Sequence, residues 1–241
     1  MSDILKVVQY DASEHTRVVN TFLAETELKK LNVFRHFNPL DARIVDIGCG
    51  DGVLSREASN RSAEFVLGID SHPDMINIAK ESSKDYGDLI QYQQSFIEEC
   101  TGDESYDVAI MSYLLNNAST FKQLIQQCRG AASFLKPGGI AIIYNNNPFD
   151  VVGGDFKKYG FNKTITGKKG GSKIIYDYRP TMSDLITNYY FNQNIHATAF
   201  KVGGFSKLTW KPLQRPEKTS TFWDEYFNRE HLPVIGAVAI K

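Results

Sequence analysis

Residues 43–53 read Arg-Ile-Val-Asp-Ile-Gly-Cys-Gly-Asp-Gly-Val, and the fold is decided there. RIVDIG (43–48) is a short β-branched run, the pattern of a buried strand. GVLSREAS (52–59) continues at helical spacing. Between them, Gly48, Gly50 and Gly52 allow a tight turn and let backbone N–H groups approach a ligand at a helix N-terminus. Asp70 lies twenty residues after Gly50 and closes a second apolar run, EFVLGID (64–70). A carboxylate at that point can accept both hydroxyls of a ribose. The third glycine separates two kinds of ligand. A dinucleotide fingerprint starting at Gly48 needs glycine or alanine at position 53, and the sequence has Val53. Asp46 also places a negative charge just ahead of the loop, which suits an ammonium better than a pyrophosphate.

The same alternation continues outward. LIQYQQS (89–95), YDVAIMS (106–112) and GIAIIYN (139–145) read as three further strands, the last after the turn signal Lys136-Pro137-Gly138-Gly139. HPDMINIAKESS (72–83) reads as a helix with Pro73 in its first turn. TFKQLIQQCRGAASFL (120–135) reads as another, with Phe121, Leu124, Ile125 and Cys128 on one face. Strands alternating with helices predict βαβ units and a parallel sheet covered on both sides. The first forty residues read as helical, with Asp11 or Ser13 as cap and Asn38-Pro39 as stop. After residue 145 the rhythm changes. GFNKTIT (160–166) and SKIIYDY (172–178) predict a hairpin about the glycine-bearing turn 167–171, and LITNYYF (185–191) a third antiparallel strand. QNIHATAFKV (193–202) predicts a helix capped by Asn192 and stopped by Gly203-Gly204. FSKLTWKPL (205–213) and LPVIGAVAIK (232–241) predict two final strands.

Composition excludes several classes. At 241 residues the chain suits one large domain or one domain with an addition. Hydrophobic residues make up 42% and charged residues 23%, which is globular. Lys+Arg 27 against Asp+Glu 28 gives a formal charge of −1, with no global pull towards nucleic acid or anionic membrane. The longest apolar run, Val234 to Ile240, is far short of the ~20 residues of a membrane span, and the N-terminus lacks a signal-peptide pattern. Cys49, Cys100 and Cys128 are widely spaced and odd in number, which predicts a reduced, cytoplasmic setting. Five histidines show no metal-ligand spacing, so no metal is expected.

The ordered set of motifs resembles the class I S-adenosylmethionine (SAM) dependent methyltransferases. VDIGCGDG is similar to the family's first motif, GIDSHPDMINIAK to its second, YDVAIMSYLLNN to the strand-four motif and FLKPGGIAII to the segment entering strand five. Gly203-Gly204-Phe205 is similar to the segment before strand six. The resemblance implies a Rossmann-like α/β fold: a mostly parallel seven-stranded sheet, helices on both faces, and a small antiparallel cap inserted after strand five. The chain would be a single domain, with a SAM-binding core at about 40–147, the cap at about 150–191 and the last helix and strands at 192–241. The resemblance also implies site roles. Gly48, Cys49 and Gly50 would lie against the methionine part and ribose of SAM, and Asp46 would orient its amino end. Asp70 would bind the ribose hydroxyls. Ser71 and Met75 would lie near the adenine, Phe96 would flank it, and Ser112 would touch the methionine end. Many members carry aspartate after the third strand to accept from the adenine amino group; here Ser95 stands at that position, which implies a weaker contact.

Methyl transfer from a sulfonium is an in-line displacement in which alignment and water exclusion carry most of the work. A base is needed only where the acceptor must lose a proton, and the sequence contains no strong catalytic dyad. Acceptor-side candidates follow from topology, because ligands of open α/β sheets bind beyond the strands' carboxyl ends. There lie Asn116 and Asn117 after strand four and Asn145 and Asn146 after strand five, residues that also commonly cap turns. Tyr10 is a candidate because such N-terminal segments fold over SAM in family members, with aromatic packing as the alternative. His15 and His196 are the bases worth testing, although both suit structural positions. The cap lysines Lys157, Lys158, Lys163, Lys168, Lys169 and Lys173 read as a solvated hairpin, or as a patch for an anionic substrate or RNA.

Signatures of other methyl acceptors are missing. The segment after strand four reads SYLL rather than Asn/Asp-Pro-Pro-aromatic, and Asn147-Pro148-Phe149 lies after strand five with one proline. There is no Pro-Cys dipeptide and no double-glutamate loop. Trp210 and TSTFWDEYF, with Trp223, are faintly similar to toxoflavin-type small-molecule N-methyltransferases. The expectation is transfer from SAM, with S-adenosylhomocysteine as product, to nitrogen or oxygen of a small polar or aromatic metabolite. The alternatives are an RNA or protein methyltransferase using the lysine-bearing cap, or a SAM-binding protein without transfer activity. The sequence does not decide between monomer and dimer.

Overall fold

A computed structural model of the chain describes residues 23–159, 161–166, 172–177, 186–216 and 221–241. The expectations for Tyr10, His15, the Asp11/Ser13 cap, the turn at 167–171, Lys168 and Lys169 lie outside them, as does the side chain of Lys173.

The chain begins with α1 (Leu23–Phe34) and then alternates: β1 (Arg43–Ile47), α2 (Val53–Asn60), β2 (Phe65–Asp70), α3 (Pro73–Ser82), β3 (Ile90–Gln94), β4 (Tyr106–Ser112), α4 (Phe121–Phe134) and β5 (Leu135–Asn146). The insertion follows as β6 (Gly153–Phe156), β7 (Phe161–Thr166), β8 (Ser172–Asp177) and β9 (Ile186–Tyr190). The chain closes with α5 (Gln193–Gly203), β10 (Lys207–Lys211), α6 (Asp224–Phe227) and β11 (Val234–Ile240). The main sheet has seven strands in the order β10-β11-β5-β4-β1-β2-β3. Only β11 runs against its neighbours. The order reverses between β1 and β4, which creates the crevice where ligands of such sheets bind.

β1 sits between β2 and β4 and is covered on both faces. Its alternation therefore sends two apolar sets into two cores. Val45 and Ile47 pack with α4 and α5, while Ile44 packs with Leu28 of α1 and Leu54 of α2. Caps match the sequence where they are local. The Thr120 side chain accepts from Gln123 N, and Asn192 accepts from Ile195 N. Gly204 ends α5 at φ 107°.

Three expectations need correction. The Lys136-Pro137-Gly138-Gly139 segment is not a turn before β5 but a stretch inside it, where the register with β4 shifts between Tyr106 and Val108. Phe121 is exposed rather than part of the buried face of α4. The insertion has a fourth strand, β6, ahead of the expected three, and the sheet order is β6-β7-β8-β9.

The insertion is anchored at both ends. Tyr159 stacks on Trp223 at 5.4 Å and packs edge-on to Tyr226. Its hydroxyl donates to Phe222 O and accepts from Tyr226 N. Arg229 lies 4.1 Å over the Phe156 ring and donates to Asp155 O. At the other end Tyr190 donates to Pro148 O at 2.6 Å, and Asn188 donates to Asn117 at 3.1 Å. Lys163 is no solvated lysine. Its side chain is 0% exposed and donates to Asp150 at 2.7 Å and to Pro233 O at 3.0 Å. A buried ammonium needs such partners, so this residue ties the insertion to the sheet rather than serving a surface patch.

Candidate active site

The loop after β1 is held by its own backbone and by β2. Gly48 N and Cys49 N both donate to Ile69 O, at 2.7 and 3.1 Å. Gly50 N donates to Asp70 Oδ2 at 2.9 Å, and His72 N donates to Asp70 Oδ1 at 2.8 Å. Each Asp70 oxygen thus accepts one backbone N–H and keeps lone pairs for a ligand. Burial raises the Asp70 carboxyl above its ordinary range, and the two N–H donors oppose that rise.

Gly52 explains why the third glycine is at 52. Its φ is 78°, and a Cβ there would stand 2.2 Å from the Tyr92 hydroxyl oxygen. A side chain would meet both left-handed strain and this ring. Tyr92 also underlies Gly68, and its hydroxyl lies 2.8 Å from Ser83 Oγ. Burial pushes the phenol up to about 12, so it remains a neutral prop beneath the loop. Gly50 differs: at φ 54°, a Cβ built on it meets nothing, which is the open surface a ligand needs.

Asp46 is 1% exposed. Ser55, on α2, donates to its Oδ2 at 2.7 Å, and its Oδ1 has no hydrogen-bond partner. Burial raises its pKa to about 6, opposed by the Ser55 hydroxyl and the charge of Lys29. Cys49 is a buried thiol, raised well above its usual range by burial and then by Asp46, which makes it inert. Ser95 N donates to Asp70 O at 3.0 Å, which fixes the β3 end beside the same carboxylate. The Ser95 hydroxyl donates to Phe96 O and accepts from Cys100 Sγ. Ser71 and Phe96 are half-buried, while Met75 is buried in the body of α3.

On the other side of the crevice, β4 ends at Ser112 and the chain turns sharply. Tyr113 has φ 54°, rare for an aromatic residue and a local strain. Its N–H donates to Tyr144 O at 2.8 Å, and the two rings meet edge-on at 5.4 Å. The turn lays Leu114 over Gly48: a Cβ on that glycine would be 3.4 Å from Leu114 Cδ1. Asn116, Asn145 and Asn146 are all buried at this edge. Asn116 Oδ1 and Asn145 Oδ1 lack hydrogen-bond partners among the described residues. His196 sits on α5, edge-on to Phe191 and Trp210, with Nδ1 3.0 Å from Asn192 O. Burial lowers its pKa, so it is a neutral packed ring.

Sequence reasoning placed Asn117 in the junction after strand four but missed its partner Asn188. Asn117 donates to Tyr113 O at 3.2 Å and accepts from Asn188 of β9. Nothing in the sequence pairs these asparagines, which are brought together only by the insertion's path. It also missed Tyr92, which reads as an ordinary residue of a polar strand.

Known proteins bear directly on this arrangement. A family profile described as "Methyltransferase domain" matches residues 44–139. The ubiquinone biosynthesis O-methyltransferase of Marinobacter nauticus is 34% identical over 187 residues, covering 73% of this chain and 71% of that protein. The chain belongs to the class I SAM-dependent methyltransferases. A relative of the same name from Xanthomonas axonopodis pv. citri is 30% identical over 109 residues, spanning 44% of each chain. The fold agrees. A SAM-dependent methyltransferase from Mesorhizobium loti superposes with TM-score 0.62 at 18% identity, covering 85% of this chain and 93% of that one. One from Aquifex aeolicus superposes with TM-score 0.60 at 14% identity, covering 96% and 99%.

The methyltransferase is thus an enzyme that uses SAM. The residues present fit that cofactor. The loop offers an unobstructed Gly50, a carboxylate with spare lone pairs at Asp70, and an unpartnered buried oxygen at Asp46. No helix among the described residues is long and apolar enough to cross a membrane.

Proposed function

We propose that the enzyme transfers the methyl group of SAM to a hydroxyl oxygen of a small polar or aromatic molecule. The supporting observation is the junction of two walls at the β1/β4 crevice: the glycine loop with Asp46 and Asp70, and a buried amide wall with Asn116 and Asn145 under the insertion. The relatives named as O-methyltransferases favour oxygen over nitrogen. Asp70 binds the ribose hydroxyls, Asp46 the amino end, and Gly48, Cys49 and Gly50 form the surface between them. Ser71 and Phe96 border the adenine, and Ser95 supports it through the β3 end. Ser112 and Tyr113 form the floor nearest the methionine end.

Bound SAM supplies an electrophilic methyl group that needs no acid to leave its sulfur. The chain's task is then to align the acceptor and exclude water. The asparagine wall is neutral, so it can orient a hydroxyl but not remove its proton. That suits a phenol, whose proton is held at about 10 in the free side chain of tyrosine, better than an aliphatic alcohol. The insertion is tied to the ends of β4 and β5 by Asn188 to Asn117 and Tyr190 to Pro148, an arrangement that suits a small acceptor.

The test is incubation of the purified chain with methyl-labelled SAM and a metabolite extract, followed by mass spectrometry of labelled products. Label on the oxygen of a small molecule supports the reading. Label confined to RNA, protein or a nitrogen atom refutes it.

A further inference from the structure

We propose that Asn117 and Asn188 are positioning residues: through them the insertion holds Tyr113 in its strained turn and so sets the place of the reacting methyl group. This rests on the reading of the β1/β4 crevice as the SAM site with the acceptor under the insertion. Tyr113 has φ 54°, a conformation that an aromatic residue keeps only where its surroundings impose it. Two restraints come from the sheet. The Tyr113 N–H donates to Tyr144 O at 2.8 Å, and the two rings meet edge-on at 5.4 Å. Tyr144 is 1% exposed, so that side of the turn is fixed in the core. A third restraint acts on the Tyr113 carbonyl, which accepts from Asn117 Nδ2 at 3.2 Å. One hydrogen bond is comparable in strength with the strain of one left-handed residue, so losing it is enough to let the turn relax.

The insertion dictates which way the Asn117 amide points. Asn188 of β9 is buried, and its Nδ2 donates to Asn117 Oδ1 at 3.1 Å. With that oxygen held, the Asn117 nitrogen faces the Tyr113 carbonyl. Turned over, the amide would set its oxygen against that carbonyl and its nitrogen against the Asn188 nitrogen, which loses both bonds. The short helical turn Leu115–Asn117 packs against β9 and against β5. A continuous chain of hydrogen bonds thus runs from the insertion, through two amides, to the residue after Ser112. That residue borders the methionine end of the cofactor, where the methyl group sits. The register pairs Ser112 with Tyr144, which brings Asn145 of the acceptor wall level with the same turn. A misplacement of about 1 Å between reacting groups costs up to about 100-fold in rate, so the two amides act on turnover through Tyr113.

The experiment uses the full chain and three readouts: calorimetry with SAM, NMR of bound SAM carrying an isotope-labelled methyl group, and initial rates of label transfer to a metabolite extract at saturating SAM. Asn117→Ala and Asn188→Ala should each slow transfer about 10- to 100-fold while SAM affinity stays within about twofold. The double variant should be no slower than the slower single one, because both cut one chain. Asn188→Asp keeps the size but turns the donor into an acceptor, so it should behave like Asn188→Ala. The bound methyl resonance should move in the same direction in all these variants. Unchanged rates, losses that multiply in the double variant, or a resonance that stays in place overturn the proposal. So does a fall in SAM affinity as large as the fall in rate, which would make the pair a support of the fold. Failure of the site reading looks different: the unmodified chain would bind no SAM, and the proposal would fall with it. The resonance needs no acceptor, so label found on nitrogen, RNA or protein would refute the acceptor reading while the NMR comparison still decides this one.

Discussion

Replacing Asp46 by asparagine separates what this carboxylate costs the fold from what it does for the cofactor. In an unfolded chain the group titrates near 3.8; in the folded protein burial moves it to about 6. That rise of about two units corresponds to about 3 kcal/mol at ~1.4 kcal/mol per unit. Between pH 3.8 and 6 the folded state holds a proton that the unfolded state has released. Stability from this group therefore falls as pH rises through that window. The cost is absent below 3.8 and complete by pH 7. Asp46→Asn removes the titration. Urea unfolding of both proteins without cofactor, at pH 4.0, 5.5 and 7.0, measures the effect as a difference. The variant's stability relative to the parent should climb by about 2–2.5 kcal/mol across that range. Its SAM affinity should be lower at pH 7.5 and almost flat with pH, whereas the parent's should weaken as pH drops through about 6. A stability difference independent of pH, or parent binding that improves on acidification, would refute the reasoning.

Other perturbations follow from the same geometry. Gly50→Ala meets only left-handed backbone strain, of about 1–2 kcal/mol, whereas Gly52→Ala also meets Tyr92; melting temperatures should order them with Gly52→Ala clearly lower, and equal losses would contradict the role given to Tyr92. Lys163→Met leaves the Asp150 carboxylate buried without its partner, so unfolding should become easier by roughly 3–5 kcal/mol; a change within ~0.5 kcal/mol would make Lys163 an ordinary surface lysine. Asn188→Ala cuts the contact to Asn117, and turnover on the identified acceptor should drop while SAM affinity holds; a loss of SAM affinity instead would place that latch on the cofactor side.

Legibility in the sequence followed the range of the interactions. The strand-loop-helix at 43–60 was readable because its cause is local: alternating burial, three glycines and one distant carboxylate. Asn192 and Gly204 were readable for the same reason, since a cap acts within three or four residues. β6 was not, because Gly153-Gly154-Asp155 has poor strand propensity; it pairs with β7, and Arg229 secures it from the far end of the chain. Lys163 reads as solvated until Asp150 and Pro233 surround it. The Lys136–Gly139 signal was a true irregularity assigned to the wrong place, a register shift inside β5 instead of a turn. Lys29 looks like one of four charged residues on an amphipathic helix, and only the packing of α1 on the sheet buries it. The cofactor side is thus largely written in contiguous motifs, while the acceptor side is assembled from asparagines and tyrosines that tertiary structure brings together.

Calorimetric titration of the unmodified chain and of Asp70→Ala with SAM, and with NAD as the competing ribose-bearing ligand, tests the central claim most directly. The account predicts that the unmodified chain binds SAM with single-site behaviour and does not bind NAD. Asp70→Ala should bind SAM much more weakly, since it loses both the ribose acceptor and the brace to Gly50 and His72. Binding of NAD without SAM, or SAM affinity indifferent to Asp70, would contradict it.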